Sequence, residues 1–404
     1  MRWVSRNGKI SHIILRLKYQ IICPYDQVSV KQVNLKNWHL NFVTITVPAA
    51  ASFANLLVFA GIPILTELRL FDTFASANVV AGLYLAVVAS ASSNVAIFSQ
   101  KHDDHEIIQT FNMISVVLLI ALSVWGLWER SLSVLILLAS YFLSQYIIMS
   151  VQCARYEKEA IRPILALIIQ PYCLLIFVFG LASFAVPFSW EIGYLFSATI
   201  ALTWTIFALR NFNKVFSFSW LSTFASLKKP LSVMIAGSFM PLFIHLDIVA
   251  ANNSTYLSSV TIMTKIIYSV PLSLSSLLIM RFAKSPRTLF RVESFVLVGI
   301  IMLSTVFFSL LYNVFIFTVI PIGLFESVVY LIAFVVFNLL LSAQVAVNPM
   351  TVLKKFMIVL LLMYYCVSMS FFDIESYFIF KLLVMFLMSM ILIKHHWRQH
   401  VESR

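Results

Sequence analysis

Charged residues are scarce in this chain. Only 11% of its 404 residues are Asp, Glu, Lys or Arg, whereas 61% are hydrophobic, and the mean hydropathy is +0.96. A soluble globular protein has about 25% charged and about 45–50% apolar residues. The composition therefore excludes a soluble protein and indicates an integral membrane protein with little chain left for a soluble domain.

Glycine and cysteine are also rare, with nine and four residues. The glycines form no phosphate-binding loop, and the four cysteines are scattered without metal-ligand spacing or a pairing pattern. No nucleophile–base pattern and no zinc motif are present either. The sequence thus favours a protein that is not an enzyme, and it predicts no cofactor and no metal site.

The apolar runs show no strand-like alternation. They are continuous over about 20 residues, which is the length that crosses a bilayer as a helix, whereas strands of membrane barrels alternate over about ten residues. We therefore predict an all-α integral membrane protein with about 12 transmembrane helices. The predicted spans are 42–64, 74–98, 107–128, 132–151, 163–186, 190–209, 231–251, 256–280, 293–313, 323–344, 355–372 and 376–394.

The net charge of +12 is distributed very unevenly. If the first residue is placed in the cytoplasm and the spans alternate, 24 of the 28 lysines and arginines fall on the cytoplasmic side and two on the opposite side. The remaining two, Lys265 and Lys381, lie within spans. By the positive-inside rule, both termini are predicted to be cytoplasmic in a bacterial inner membrane, and the basic excess does not indicate nucleic acid.

The predicted domain organisation follows from an even number of spans in each half. Six spans per half place the halves in the same orientation, as parallel repeats around a central cavity. The first segment is a basic tail that either lies as a short helix on membrane lipids or is simply solvated. The predicted boundaries are a tail at 1–37, an N-terminal lobe at 38–210, a linker at 211–230, a C-terminal lobe at 231–396 and a tail at 397–404.

Three ionisable residues mark a candidate site in spans seven and eight. A charge at membrane depth costs several kcal/mol, so such residues usually face a bundle interior or a cavity. In one hypothesis Lys265 meets an anionic substrate group, while Asp247 balances it or carries a coupling ion or proton. In the other, Asp247 caps a helix end near water and Lys265 snorkels to the surface or pairs with Asp247. His245 is either a packed histidine or a proton relay.

Other polar or helix-breaking residues have simpler interpretations. Pro241 and Pro271 interrupt spans seven and eight, and are predicted to let these helices bend. Glu326 and Lys381 lie near span ends, and we predict that both are interfacial anchors. The acid-rich segment 102–106 precedes span three, which is typical of a helix N-terminus rather than a metal site.

Spans seven and eight also resemble a known family, the polysaccharide flippases (Wzx-like) of the multidrug/oligosaccharidyl-lipid/polysaccharide exporter superfamily. A first-half echo lies at Leu70-Phe71-Asp72 and Phe74. The matching second-half residues are Leu246-Asp247-Ile248-Val249, Tyr256, Lys265-Ile266-Ile267, Pro271 and Arg281-Phe282-Ala283-Lys284.

The resemblance implies a transporter that works by alternating access between two six-helix lobes. Its cargo would be an undecaprenyl-pyrophosphate-linked oligosaccharide repeat unit, flipped across the membrane for O-antigen or capsule synthesis, possible partners being a glycan polymerase and chain-length machinery. The cationic cavity expected for the pyrophosphate would correspond here to Lys265. The alternatives are an ion-coupled multidrug antiporter of the same superfamily, a membrane glycan polymerase, and a non-transporting membrane scaffold.

Overall fold

Long helices make up the described chain, as the apolar runs predict. The computed structural model describes residues 47, 50–51, 53–55, 57–62, 68–156, 165–209, 215–218, 228–252, 254–266, 324–347, 349–369 and 372–402. The helices are α1 (Leu68–Tyr84), α2 (Ser92–His102), α3 (Glu106–Trp128), α4 (Leu132–Tyr156), α5 (Ala166–Ser183), α6 (Ser189–Ala208), α7 (Lys228–Ala251), α8 (Leu257–Ile266), α9 (Leu324–Val347), α10 (Pro349–Ser368) and α11 (Ile374–Glu402).

Within the described residues, seven helices are long and apolar enough to cross a membrane. They are 70–100, 106–128, 132–154, 166–183, 189–208, 231–251 and 374–395, and shorter apolar helices lie at 329–341 and 356–368. These helices coincide with nine of the predicted spans. The tail at 1–37, most of the linker, the end of span eight with Pro271, and span nine lie outside the described residues.

Two helices extend beyond the predicted spans. The spans at 323–344 and 355–372 leave residues 345–354 between them, whereas α9 continues to Val347 and α10 begins at Pro349. Proline is favoured at the first helical position, because its missing N–H would have no intrahelical partner there and its fixed φ suits the helix. The backbone of Lys354 and Lys355 is therefore helical.

Aromatic rings form the core of the N-terminal half (helices α1–α6). Trp190 of α6 is fully buried and lies 4.8 Å from the ring of Phe71, 5.6 Å from Phe74 and 5.7 Å from Phe59, between ring centres. Since lipid tails are as apolar as these side chains, packing rather than the hydrophobic effect holds membrane helices together. This cluster fixes α6 against α1.

A second aromatic core lies in the C-terminal half (helices α7–α11), where α7 packs on α10 and α9 packs on α11. Phe239 and Phe243 of α7 contact Phe337 of α9 at ring-centre distances of 6.3 and 5.4 Å, and Phe239 lies 6.1 Å from Phe356 of α10. These ring contacts pack one side of α7 against α9 and α10. The other side of α7 contacts the N-terminal half.

The two halves meet along a seam, which we define as the contact of α1 and α2 with α7 and α8. At one end Ser258 of α8 hydrogen-bonds the carboxylate of Asp72 on α1, and we call this the Asp72 end. Farther along, His245 of α7 lies against Gly82 of α1, and then Gly237 of α7 lies against Ala91. A π-helical stretch at Leu85–Ala89 links α1 to α2, so span two changes its helical geometry within the seam.

Candidate functional site

A buried polar cluster joins three helices of the C-terminal half around Asp247 of α7. Its Oδ1 accepts hydrogen bonds from Lys381 Nζ of α11 at 2.5 Å and from the Tyr377 hydroxyl at 2.7 Å. Its Oδ2 lies 3.5 Å from the Tyr330 hydroxyl of α9. Lys381 also donates to the carbonyl oxygen of Phe243 at 2.6 Å. Neither Asp247 nor Lys381 has an exposed side chain.

This cluster corrects two interpretations of the sequence. Lys381 is not an interfacial anchor, because its ammonium group finds two oxygen acceptors and lies over the rings of three aromatic residues in the interior: Phe243, Tyr330 and Tyr377. Asp247 does not cap a helix end near water, and the lysine that it pairs with is Lys381 rather than Lys265. Each of the two charges therefore has its counter-ion inside the protein.

Lys265 of α8 instead contacts a residue of the N-terminal half, on the other side of the seam. Its Nζ is 3.4 Å from the hydroxyl of Tyr141 on α4 and 5.3 Å from the centre of that ring. The Tyr141 hydroxyl in turn donates to Oδ1 of Asn78 on α1 at 2.7 Å. Within the described ranges no carboxylate contacts Nζ of Lys265, so the boundary between the halves holds a lysine without an acidic partner.

His245 also contacts both halves. Its Nδ1 lies 3.0 Å from the hydroxyl of Tyr364 on α10, and that hydroxyl donates to the carbonyl oxygen of Leu242 at 3.1 Å. On the opposite side the ring lies against α1 at Gly82, where an added Cβ would be 3.0 Å from Nε2. Nε2 is buried and has no hydrogen-bond partner among the described residues.

Sequence reasoning missed a network of amides inside the N-terminal half. Gln145 of α4 accepts a hydrogen bond from the Tyr84 hydroxyl at 2.8 Å and donates to Ser115 at 3.1 Å and to Asn112 at 3.3 Å, both on α3. Asn112 also donates to the carbonyl oxygens of Val215 and Ser217. A polar residue within an apolar run was the available signal, because a buried amide needs partners.

The remaining sequence candidates make none of the contacts described above or lie outside the described side chains. Pro241 lies inside α7, where it leaves the Gly237 carbonyl without its intrahelical donor. Glu106 begins α3, and within the described residues no three His, Cys, Asp or Glu side chains could share a metal ion. Pro271 and the side chain of Glu326 lie outside what the structure describes.

Comparisons with solved structures identify the fold of this chain. No protein-family model and no curated protein matches the chain. Among solved structures, an outward-facing multidrug resistance MATE family transporter of the MOP superfamily aligns with a TM-score of 0.54 and 13% identity, over 89% of this chain and 95% of that one. The chain has the MATE fold.

Two further structures share the MATE fold with this chain. An inward-facing multidrug resistance MATE family transporter aligns with a TM-score of 0.53 and 12% identity, over 90% of this chain and 98% of that one. A MOP superfamily transporter from Pyrococcus furiosus, described as having a binding pocket of reverse polarity, aligns with a TM-score of 0.51 and 13% identity, over 89% and 93%. The predicted all-α membrane fold is thereby confirmed, and the structures that share it are transporters.

Proposed function

We propose that the protein is a flippase that moves an undecaprenyl-pyrophosphate-linked oligosaccharide repeat unit across the bacterial inner membrane for O-antigen or capsule synthesis. The cargo is amphipathic. Its pyrophosphate carries negative charge, its glycan is polar, and its polyprenyl chain stays in lipid. A transporter for it needs a positive group where its two halves meet.

The charge arrangement at the seam supports this proposal. Asp247 is neutralised by Lys381, 2.5 Å away inside the C-terminal half. Lys265 contacts Tyr141 across the seam and contacts no carboxylate in the described part of the chain. The charge available at the Lys265–Tyr141 contact is therefore positive, and an anionic substrate group would balance it, whereas the carboxylate of Asp72 lies at the Asp72 end of the seam with Ser258. A cationic drug would meet repulsion there.

In the proposed mechanism the two halves rock against each other around this positive group. Lys265 and Tyr141 belong to different halves, so any opening of the seam changes the distance between them and exposes the lysine to substrate. The pyrophosphate would replace Tyr141 as the partner of the Lys265 ammonium group. Asp247 is proposed to couple transport to an ion gradient, because binding of a proton by its carboxylate would release Lys381 from the pair.

The proposed orientation in the membrane follows from the positive-inside pattern of the sequence. Both termini are proposed to lie in the cytoplasm. The protein would receive the completed repeat unit at the cytoplasmic leaflet and release it at the outer leaflet, where a glycan polymerase and chain-length machinery use it.

A second candidate is an ion-coupled multidrug antiporter, which the fold itself favours because several of the matching structures are described as MATE transporters. This function would require a negative or neutral seam when substrate binds. The two candidates therefore differ in the sign of the charge that the seam accepts.

The test is the composition of lipid-linked intermediates in a deletion strain. We expect the strain to accumulate complete undecaprenyl-linked repeat units at the cytoplasmic leaflet and to lose its surface glycan. Wild type restores the glycan, Lys265→Ala does not, and the exposed Lys394→Ala serves as a matched control that does. Unpolymerised repeat units at the outer leaflet would indicate a polymerase instead, and a normal glycan profile would contradict the proposal.

A further inference from the structure

Two hydrogen-bond donors near Lys265 are buried at the seam without an acceptor. One is Nδ2 of Asn78 on α1, a residue that is 1% exposed, and the other is the hydroxyl of Thr261 on α8, which is 0% exposed. Neither atom has a hydrogen-bond partner in the described part of the chain. Because a buried donor that is left unpaired lowers stability, packing alone does not explain these two side chains.

The orientation of the Asn78 amide follows from its neighbours. A lysine ammonium group can only donate, so the oxygen of the Tyr141 hydroxyl accepts from Lys265 at 3.4 Å. The hydrogen of that hydroxyl is donated to Oδ1 of Asn78 at 2.7 Å. Oδ1 is therefore the bonded end of the amide, and the hydrogens of Nδ2 stay available to an acceptor.

Thr261 lies on the same side of α8 as Lys265. The two residues are four positions apart, which places their Cβ atoms about 5–6 Å from each other on one face of the helix. The nearby Thr264 differs, because its hydroxyl donates to the carbonyl oxygen of Thr261 at 2.8 Å within the helix. The Lys265 ammonium group thus has an unpaired hydroxyl on its own helix and an unpaired amide on the opposite half.

We propose that Asn78 and Thr261 are the neutral hydrogen-bond donors for the same pyrophosphate group whose charge Lys265 balances. Phosphate oxygens are strong acceptors, and a pyrophosphate has more of them than one ammonium group can satisfy. The two donors belong to opposite halves, and they gain acceptors when the cargo enters between the halves. This inference rests on the proposed function, since it assigns two further residues to the cargo site.

His245 contributes a different kind of atom to the seam. Its Nδ1 is bonded to Tyr364, and its buried Nε2 is an acceptor without a partner in the described ranges. An added Cβ at Gly82 would be 3.0 Å from Nε2 and 3.3 Å from Oδ1 of Asn78, so Nε2 lies toward the bonded end of that amide. A lone pair repels phosphate oxygens, and Nε2 is therefore not part of the proposed pyrophosphate site.

The experiment measures binding of undecaprenyl pyrophosphate to the purified protein in detergent, with undecaprenol as the uncharged lipid of the same chain length. The variants are Thr261→Val, Thr261→Ser, Asn78→Leu and Lys265→Ala. Thr264→Val is the matched control, because it removes a threonine hydroxyl of α8 that is already bonded within the helix. Thermal unfolding of every variant is measured in parallel, and phosphatidylglycerol is added as a competitor in a separate series.

We expect Thr261→Val and Asn78→Leu each to raise the dissociation constant for undecaprenyl pyrophosphate by about 10- to 100-fold, the loss expected for one hydrogen bond to a charged group. Thr261→Ser, which keeps the hydroxyl, and Thr264→Val should bind as tightly as the wild type. Thr261→Val should not lower the unfolding temperature, because the hydroxyl that it removes has no partner among the described residues. Binding lost while stability is kept indicates a contact with the ligand.

Three results would overturn the inference. If Lys265→Ala loses binding while Thr261→Val and Asn78→Leu bind as the wild type does, the two donors do not contact the cargo, and the proposed function stands without them. If phosphatidylglycerol competes as well as undecaprenyl pyrophosphate itself, the donors hold the phosphate of a membrane lipid. A wild-type protein that binds undecaprenyl pyrophosphate no better than undecaprenol contradicts the proposed function and the inference together.

Discussion

Lys381 Nζ lies 2.5 Å from Asp247 Oδ1 although 134 residues separate the two in sequence, and neither side chain is exposed. The pair connects α7 to α11, and the hydroxyl of Tyr377 adds a third member at 2.7 Å. Two opposite charges at membrane depth are tolerated because each is the other's counter-ion, and the tyrosine occupies part of the remaining hydrogen-bonding capacity of the carboxylate.

The first prediction concerns removal of one member of this pair. Lys381→Met leaves Asp247 buried without its counter-ion and should lower the free energy of unfolding by about 3–5 kcal/mol, the usual cost of breaking a buried ion pair. The double variant Asp247→Leu/Lys381→Met should recover most of this loss. Thermal unfolding in detergent measures both, with the exposed Lys394→Met as a control. Equal losses in the single and double variants would show that the charges are not coupled.

The second prediction concerns the two glycines of the seam. A Cβ at Gly82 would be 2.9 Å from His245 Cδ2, and one at Gly237 would be 2.9 Å from the Cα of Ala91. Alanine at either position should therefore push the halves apart or cost about 1–3 kcal/mol, as overpacking does. Distances across the seam and thermal unfolding report on these two outcomes.

Gly180→Ala is the matched control for this pair of variants, because nothing lies within 4 Å of an added Cβ there. It should be neutral or slightly stabilising, since alanine is preferred to glycine inside a helix by about 0.5–1 kcal/mol. Three variants with the same stability and the same distances across the seam would contradict the close approach of α7 to α1 and α2.

The spans could be predicted from the sequence, whereas the pairing of Lys381 with Asp247 could not. The described spans follow from hydropathy, because every backbone group in lipid must bond within its own helix. The partner of Asp247 does not, because it depends on which helices pack together. Asp373 and Glu375, close to Lys381 in sequence, suggested an anchor at the membrane surface. The useful signal was that two lysines, Lys265 and Lys381, lay within spans, whereas spans seven and eight together held a single acid, Asp247.

The start of α10 at Pro349 and the seam contacts could not be predicted for the same reason. A proline can end one helix or begin the next, and the apolar residues around Pro349 are compatible with both. Contacts of Gly82 and Gly237 depend on the spatial arrangement of the halves, which the periodicity of a single helix does not encode. The prediction that His245 belongs to the site stays a prediction, as do those for Lys265 and Asp247.

The third prediction concerns the aromatic core. Trp190→Ala removes a fully buried ring that contacts Phe59, Phe71 and Phe74 and should cost about 3–5 kcal/mol, as large-to-small substitutions in cores do. Trp128→Ala, where the side chain is 83% exposed, should cost far less in detergent. Similar unfolding temperatures for the two variants would mean that Trp190 is not packed as described.

The fourth prediction separates charge from geometry at Lys265. Lys265→Arg keeps the positive charge and should retain partial flipping, whereas Lys265→Ala should abolish it. Tyr141→Phe removes the hydroxyl between Lys265 and Asn78 and should lower the free energy of unfolding by about 1–3 kcal/mol, the cost of leaving a buried polar group unpaired. Flipping rates equal to wild type in both Lys265 variants would exclude a role for the charge.

The central claim is that the seam accepts an anionic lipid-linked glycan, and transport by the purified protein in liposomes tests it most directly. The liposomes contain either a polyprenyl-pyrophosphate oligosaccharide, whose leaflet is read by accessibility to an added glycosidase, or a trapped cationic dye. We predict that the wild-type protein moves the lipid-linked glycan, that Lys265→Ala does not, and that neither exports the dye. Dye export driven by an ion gradient, without movement of the glycan, would contradict the account and identify a multidrug antiporter.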